Sequence, residues 1–424
     1  MTGSHDAVIV ATARTPIGRA YKGSLTTERA DDLCVSAINA AVQQVPQLDP
    51  STANDLIVGC GAPGGEQGFN MARVVAVLLG WDTVPGTTVT RYCASSLQGI
   101  RMAMHAIRAG EGHTFVVAGA ETVSRSRLGT SDSPPVLDDT DPRDRSANPW
   151  VNPKFAAAQA VTRSRATAKT TPPWSDPRER GELPDVYIAM GQTAENVAQL
   201  DGVSREDQDA YAALSQQRAE RAIAEGFWAR EITPYTRADG TVVDADDCPR
   251  AGTTVEKLAT LKPVFRADGT VTAGNACPLN DGAAAVIVMS SERARRLGIT
   301  PLARIVATGA TGLSPEVMGL GPVESTRQAL EFAGMSLSDV DQFEINEAFA
   351  AQVLASQRRL GIDIDRLNVN GGAIAVGHPF GMTGARIAGT LINSLRWHDA
   401  LIGVETMCVG GGQGMAMMLE RLAD

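Results

Sequence analysis

Four short stretches hold the side chains with the most chemical potential. In VTRYCASSLQG (Val89–Gly99), Cys93 stands where a β-branched run gives way to a helix-like one. The unpaired N–H groups at a helix start favour a thiolate, and a strand-to-helix turn presents its side chain outward. A packed cysteine is the competing reading, and this stretch alone favours it. In NVNGGAIAVGHPFGMTG (Asn368–Gly384), His378 is one of only five histidines and lies in a glycine-dense loop. Such a loop lets backbone approach a ligand closely, although this segment alone slightly favours a turn with an incidental histidine. The loop does not fit a P-loop, which needs Lys and Ser/Thr after the final glycine. MCVGGGQG (Met407–Gly414) puts Cys408 beside a glycine run that includes Gly410. Its N–H groups could converge on one point, as an oxyanion hole requires, or simply close a tight turn between strands. In EINEAFAAQ (Glu344–Gln352), Asn346 marks a strand-to-helix change and, read alone, is a helix N-cap.

These residues need elements to hold them. AVIVATART (Ala7–Thr15) and TFVVAGAE (Thr114–Glu121) read as buried strands. Between them, Ala30–Val45 and Ser95–Gly110 have helical spacing, the second with Leu97, Ile100, Met104 and Ile107 on one stripe and Gly110 as its stop. Pro-, Asp- and Arg-rich stretches at 131–155 and 170–184 read as loop. Helices follow near Ala189–Leu200 and Ser204–Glu225, with Ser204 and Asp207 as a capping pair. Strands return at Gly282–Ser290, Ala303–Gly312 and Val340–Asn346. A helix covers Pro322–Gly334, another contains Gly389–Trp397, and Ala400–Glu420 reads as strand, glycine turn, strand. The alternation predicts an α/β fold with mostly parallel strands, and the similar rhythm of its two ends hints at a duplicated half.

Composition narrows the function. The 424 residues are 43% hydrophobic, enough for sizeable cores. A net charge of −10 makes nucleic acid a poor partner, because phosphate contacts need clustered Lys and Arg. A polyanionic ligand would need a local basic patch. No window reaches the length of apolar residues that a membrane span requires, and no basic region precedes a long apolar core at the start, so neither a span nor a signal peptide is expected. The six cysteines form no C-x-x-C pair, which argues against zinc or a disulfide framework and for a reduced, cytoplasmic protein with most cysteines packed.

Taken together and in this order, CASS, NEAFA, NGGAIAVGHPFGMTG and CVGGG resemble the thiolase family. MGQTAENVA (Met190–Ala198), VTAGNACPLNDGAAAV (Val271–Val286) and VMGLGP (Val317–Pro322) are similar to thiolase segments too, so the likeness spans nearly the whole chain. It implies a five-layered α-β-α-β-α fold of two similar halves plus a loop domain over coenzyme A. The halves would be residues 1–122, completed by about 279–300, and 301–424, with the loop domain at 123–278. It also implies a homodimer or homotetramer, with a β-oxidation partner subunit as a further option.

The chemistry implied is acyl transfer between thioesters: cleavage of 3-ketoacyl-CoA to acetyl-CoA and a shortened acyl-CoA, or the reverse condensation. Cys93 would attack the keto carbonyl, His378 would take its proton, and Cys408 would move the α-proton of acetyl-CoA. Asn346, through a water, and the N–H groups of Cys93 and Gly410 would form the oxyanion sites. Arg250, Lys257, Cys277, Met190 and Phe349 would bind substrate or coenzyme A. No metal or resident cofactor is implied, coenzyme A thioesters being substrates. Cys277-Pro278 departs from the usual Ser-Gly, which weakens the expected pantetheine contact. Thr90 and Ala189 depart where Asn and, in some short-chain members, His are common, which weakens any reading of strict acetoacetyl-CoA specificity. Two rivals remain: a decarboxylating ketoacyl-synthase-type enzyme, which would need a second histidine in a motif, and a non-catalytic acyl-CoA-binding subunit.

Overall fold

A computed structural model describes residues 6–128 and 152–422. Most of the proline-rich stretch at 131–155 therefore lies outside the described residues. The chain opens with β1 (Ala7–Arg14), β2 (Gly18–Arg19), α1 (Ala30–Gln43), β3 (Asp55–Gly59), α2 (Met71–Leu78), β4 (Gly86–Val89), α3 (Ser95–Ala109) and β5 (Thr114–Thr122). An excursion follows with α4 (Ala156–Thr167), α5 (Met190–Leu200), α6 (Arg205–Ala224), the small pair β6 (Tyr235–Thr236) and β7 (Val242–Val243), and α7 (Val255–Ala259). The chain returns through β8 (Asn280–Ser290) and α8 (Ser291–Leu297). It ends with β9 (Ala303–Gly312), α9 (Gly321–Ala333), β10 (Gln342–Ile345), α10 (Ala350–Leu360), α11 (Ala373–Val376), α12 (Thr383–Trp397), β11 (Ile402–Val409) and β12 (Gln413–Arg421).

The strands run in the order β10-β11-β12-β9-β1-β8-β5-β3-β4. The two halves join where Val8 and Ile9 of β1 meet Arg304 and Ala303 of β9. Outward from that seam the pairings repeat. On one side β1–β8 and β8–β5 are antiparallel and β5–β3 parallel; on the other β9–β12 and β12–β11 are antiparallel and β11–β10 parallel. The duplicated rhythm read from the sequence is therefore a duplicated topology, but the expected mostly parallel sheet is not found: antiparallel pairings outnumber parallel ones. Parallel pairing joins β4, β3 and β5, and β10 and β11, strands connected through helices, whereas β12 follows β11 through a tight glycine turn without a crossover helix.

The layers follow from side-chain alternation. Val8 and Val10 of β1 face α1 and pack with Leu33, Ala37 and Ile38, whereas Ala7 and Ile9 face the opposite side. On that side Leu97, Ile100 and Met104 of α3 meet Ile387, Leu391 and Leu395 of α12, forming a helical layer between the half-sheets. Beyond the second half-sheet, Val353 and Leu354 of α10 pack on Phe343, Ile345 and Val404. Each of the buried Val, Leu, Ile, Met and Phe side chains among these contributes roughly 1.5–3 kcal/mol. Strands buried on both faces, such as β5 and β8, read as continuous apolar runs rather than alternating ones.

Two boundaries differ from the sequence reading. The helix containing Gly389 starts at Thr383, inside the glycine-dense stretch. Gly384 in its first turn lies so close to Leu97 that a Cβ would come within 2.4 Å of the Leu97 nitrogen. Glycine here permits the α12–α3 contact rather than ending a helix. Likewise Asn346 is no N-cap: α10 begins at Ala350, with Phe349 before it, which frees the amide for other work. The expected pair Ser204–Asp207 forms a capping box at α6.

Candidate active site

Cys93 sits in a one-turn 3₁₀ helix, Tyr92–Ala94, between β4 and α3. The turn is sharp: Tyr92 has φ +44°, a left-handed conformation unusual for a bulky residue. Ser95 pins it, accepting from Arg91 N at 2.9 Å while its hydroxyl lies 2.6 Å from Tyr92 O. The backbone N–H groups of Gly410 and of Cys93 itself lie near enough to the sulfur to favour its thiolate. Burial pushes the thiol up to about 12 and the Glu121 charge adds to this, while those two N–H groups oppose it.

His378 arrives on the loop between α11 and α12 and is 1% exposed. Its N–H donates to Asn280 Oδ1 at 2.8 Å. Its Nδ1 lies 2.6 Å from Thr383 Oγ1, whose hydroxyl donates to Pro379 O at 2.7 Å. Its Nε2 lies 3.2 Å from Asn346 Nδ2. Burial, with a smaller contribution from the Arg386 charge, lowers the imidazole to about 3, so the ring rests neutral. Asn346 is held by its N–H to Thr406 O at 2.9 Å, and its Oδ1 is buried with no hydrogen-bond partner.

Cys408 lies on β11 opposite Gly414 and is fully buried. It packs with Met318, Ala348 and Phe349, with Met190 and Phe265 beside them. Burial drives its pKa well above the ordinary thiol value, with the charges of Cys93 and Cys277 adding. Cys277 is half-buried, its N–H bonded to Ala348 O at 3.0 Å. Burial, then the Cys93 charge, pushes its thiol up as well. The structure thus gathers Cys93, Cys277 and Cys408 into mutual electrostatic reach.

A cleft of about 780 Å³ opens on Cys93, with Tyr92, Met190, Phe380, Gly410 and Gln413 among its walls. Arg250 and Lys257 do not line it. Both are exposed, and the Lys257 ammonium is spent on Gly252 O at 2.7 Å. Sequence reasoning overlooked Thr383, Asn280 and Glu121. The one available signal was a charged residue, Glu121, near the end of an otherwise apolar strand. Among the described residues, no cluster of His, Cys, Asp and Glu is arranged to hold a metal, and no helix is long and apolar enough to cross a membrane.

The thiolase N-terminal domain family matches residues 7–292 and the thiolase C-terminal domain family residues 299–421. The chain belongs to the thiolase family. It is 41% identical to a 3-ketoacyl-CoA thiolase of Bacillus subtilis, over 98% of this chain and 99% of that one. It is 40% identical to a beta-ketoadipyl-CoA thiolase of Acinetobacter baylyi, again over 98% and 99%. The crystal structure of human mitochondrial 3-ketoacyl-CoA thiolase superposes with a TM-score of 0.83 at 35% identity, covering 99% of this chain and all of that one. The five-layered thiolase fold and thiolase chemistry follow: acyl transfer through coenzyme A, as thiolytic cleavage or as the reverse condensation.

Proposed function

We propose that Cys93 is the acyl-carrying nucleophile of an acetyl-CoA C-acyltransferase, with His378 as its base and Cys408 as the second acid–base group. The observation that carries this reading is that the cleft opens on Cys93 and is walled by Phe380, whose ring centroid lies 5.3 Å from that of the neutral His378 imidazole, while Cys408 lies within electrostatic reach of the Cys93 thiol. The Cys93 proton passes to His378 as its sulfur bonds to the 3-keto carbon. The oxyanion is held by backbone N–H groups and by the Asn346 region, each donor being worth roughly 3–4 kcal/mol. The C2–C3 bond then breaks, the acetyl-CoA enolate takes a proton from Cys408, and the shortened acyl group stays on Cys93. The proton held on His378 restores Cys408; the neutral imidazole then takes the proton of incoming coenzyme A as its sulfur attacks the thioester, and Cys93 leaves and recovers that proton from His378. Every proton is returned, so the cycle needs no resident cofactor.

Burial alone would keep both thiols protonated, which suits this order of events. A thiol that ionises only as its proton is accepted and its carbonyl oxygen is held reacts with substrate rather than with solvent oxidants. Met190 and Phe349 would flank the thioester, and Cys277 would stand near the pantetheine end. Arg250 and Lys257 would meet coenzyme A only at its distant nucleotide end. The six free cysteines are consistent with a cytoplasmic enzyme. Exposed Phe69, Val77 and Leu78 around α2, near the open edge of β4, favour a homo-oligomer.

For the acyl tail, a chain ending in a carboxylate is a second reading with an observation behind it. Arg91 lines the cleft, its Nη1 donates to Gln413 Oε1 at 3.0 Å, and no carboxylate pairs with it among the described residues. Burial and then Arg101 lower its pKa, a setting that an anionic ligand would relieve. Thiolysis of 3-ketoacyl-CoA substrates of graded length, with 3-oxoadipyl-CoA beside them, tests both readings. Activity on none of them would defeat the proposal, and activity on plain chains alone would defeat the carboxylate reading.

A further inference from the structure

We propose that Glu121 is a positioning residue whose carboxylate ties the loop bearing His378 to the cleft wall beside Cys93. Glu121 ends the buried run of β5 and is 2% exposed. One oxygen, Oε2, accepts from Gly61 N at 2.7 Å and from Gly381 N at 2.9 Å. The other, Oε1, accepts from Ala62 N at 3.2 Å and from Gln67 Nε2 at 3.2 Å. Gly61 and Ala62 line the cleft, whereas Gly381 stands three residues beyond His378. A single carboxylate therefore spans two loops that share no backbone pairing. The packing is tight: a Cβ on Gly61 would fall 2.6 Å from Phe380 Cβ and 2.8 Å from Glu121 Oε2.

No cation pairs with Glu121 among the described residues. Burial raises its pKa, and the N–H groups of Gly61, Gly381 and Ala62 pull it back. A buried carboxylate with no cation beside it is costly to keep unless its geometry is used, and its hydrogen bonds here join the loop of the general base to the cleft wall. Its charge also raises the Cys93 thiol. Reach and charge are thus two separable properties of one side chain.

The inference rests on the Cys93–His378 reading, and the experiment separates the two. Glu121→Asp keeps the charge and loses the reach; Glu121→Gln keeps the reach and loses the charge. Acetyl-CoA serves as the probe, since an acetyl group does not extend along the cleft wall. The aspartate variant is expected to lose about tenfold or more in kcat with KM for acetyl-CoA held within about threefold, as for a misplaced catalytic group. Its Cys93 should be alkylated by iodoacetamide at the parent rate. The glutamine variant is expected to alkylate several-fold faster at about pH 9, because the negative charge is gone. Parental kcat in Glu121→Asp overturns the proposal. So does failure of both variants to fold, which would make Glu121 a brace of the fold only. A parent chain that forms no acetyl adduct on Cys93 would defeat the catalytic assignment itself, and the positioning role with it.

Discussion

His378 Nε2 and Asn346 Nδ2 lie 3.2 Å apart, and the pair fixes the tautomer of the ring. An amide nitrogen only donates, so Nε2 is the acceptor and the proton sits on Nδ1. Thr383 agrees: its hydroxyl donates to Pro379 O, leaving Oγ1 to accept from Nδ1–H at 2.6 Å. The Nε2 lone pair is therefore the one available to take a proton. Once it has done so, Nε2–H needs an acceptor, and the buried, unpartnered Asn346 Oδ1 supplies one on the same amide.

Thr383→Val should unlock that tautomer. The shape is nearly kept, but Nδ1–H loses its acceptor inside a closed site. We expect kcat to fall about tenfold with KM nearly unchanged, the pattern of an interaction used in the transition state. An equal rise in KM at constant kcat would contradict the tautomer argument.

For Cys93→Ala we expect a folded protein with no acetyl adduct after incubation with acetyl-CoA, read by mass spectrometry. The turn is held by Ser95 and not by the sulfur, so the fold should survive. In the parent, a thiol pushed up to about 12 stays mostly protonated at neutral pH. Its alkylation by iodoacetamide should thus keep climbing with pH through the alkaline range. A plateau near neutrality would show a thiolate already formed and contradict that electrostatic account.

Much of this site is legible in the sequence because its groups are local to short motifs. Cys93, His378 and Cys408 stand beside glycines and β-branched runs whose conformations are limited, and the motif order carries the family. What is not legible is contact between distant segments. Nothing in EINEAFAAQ says that α10 starts four residues after Asn346, because that boundary is set by Asn346 pairing with Thr406 and His378 across the fold. The early start of α12 was hidden for a similar reason. Glycines at 381 and 384 look like helix breakers until the close approach of the Gly59 and Ala120 carbonyls to the first and of Leu97 to the second explains them. Glu121 is the plainest case: its donors come from residues 60, 61, 62, 67 and 381.

Cys408→Ala should leave acylation intact and stop carbon–carbon bond formation. Cys408 is sealed among Met318, Ala348 and Phe349, so alanine there costs packing of one sulfur and little else. The acetyl adduct on Cys93 should appear at close to the parent rate, while condensation of two acetyl-CoA falls by at least about a thousandfold, the weight of a missing proton-transfer group. If the two steps declined together, Cys408 would have no separate duty.

The buried imidazole makes a pH prediction whose sign can be worked out. His378 titrates at about 3 in the fold, below the ordinary 6.5 that it regains on unfolding. Between those values the unfolded chain binds the extra proton, so His378 makes stability fall as pH drops from about 6.5 towards about 3. The slope from one such group is at most about 1.4 kcal/mol per pH unit. His378→Asn removes the titrating group and cannot contribute this slope. The parent is expected to be the more stable at about pH 7.5, with its margin over the variant shrinking by about 2 kcal/mol at about pH 5, as measured by urea unfolding. Other carboxylates and histidines titrate in both proteins and cancel in the difference. A margin that stays constant between the two pH values would mean that the ring is solvated or paired with an anion in solution. It would then rest charged below about pH 6.5, and its role as the neutral base for Cys93 would fail with it.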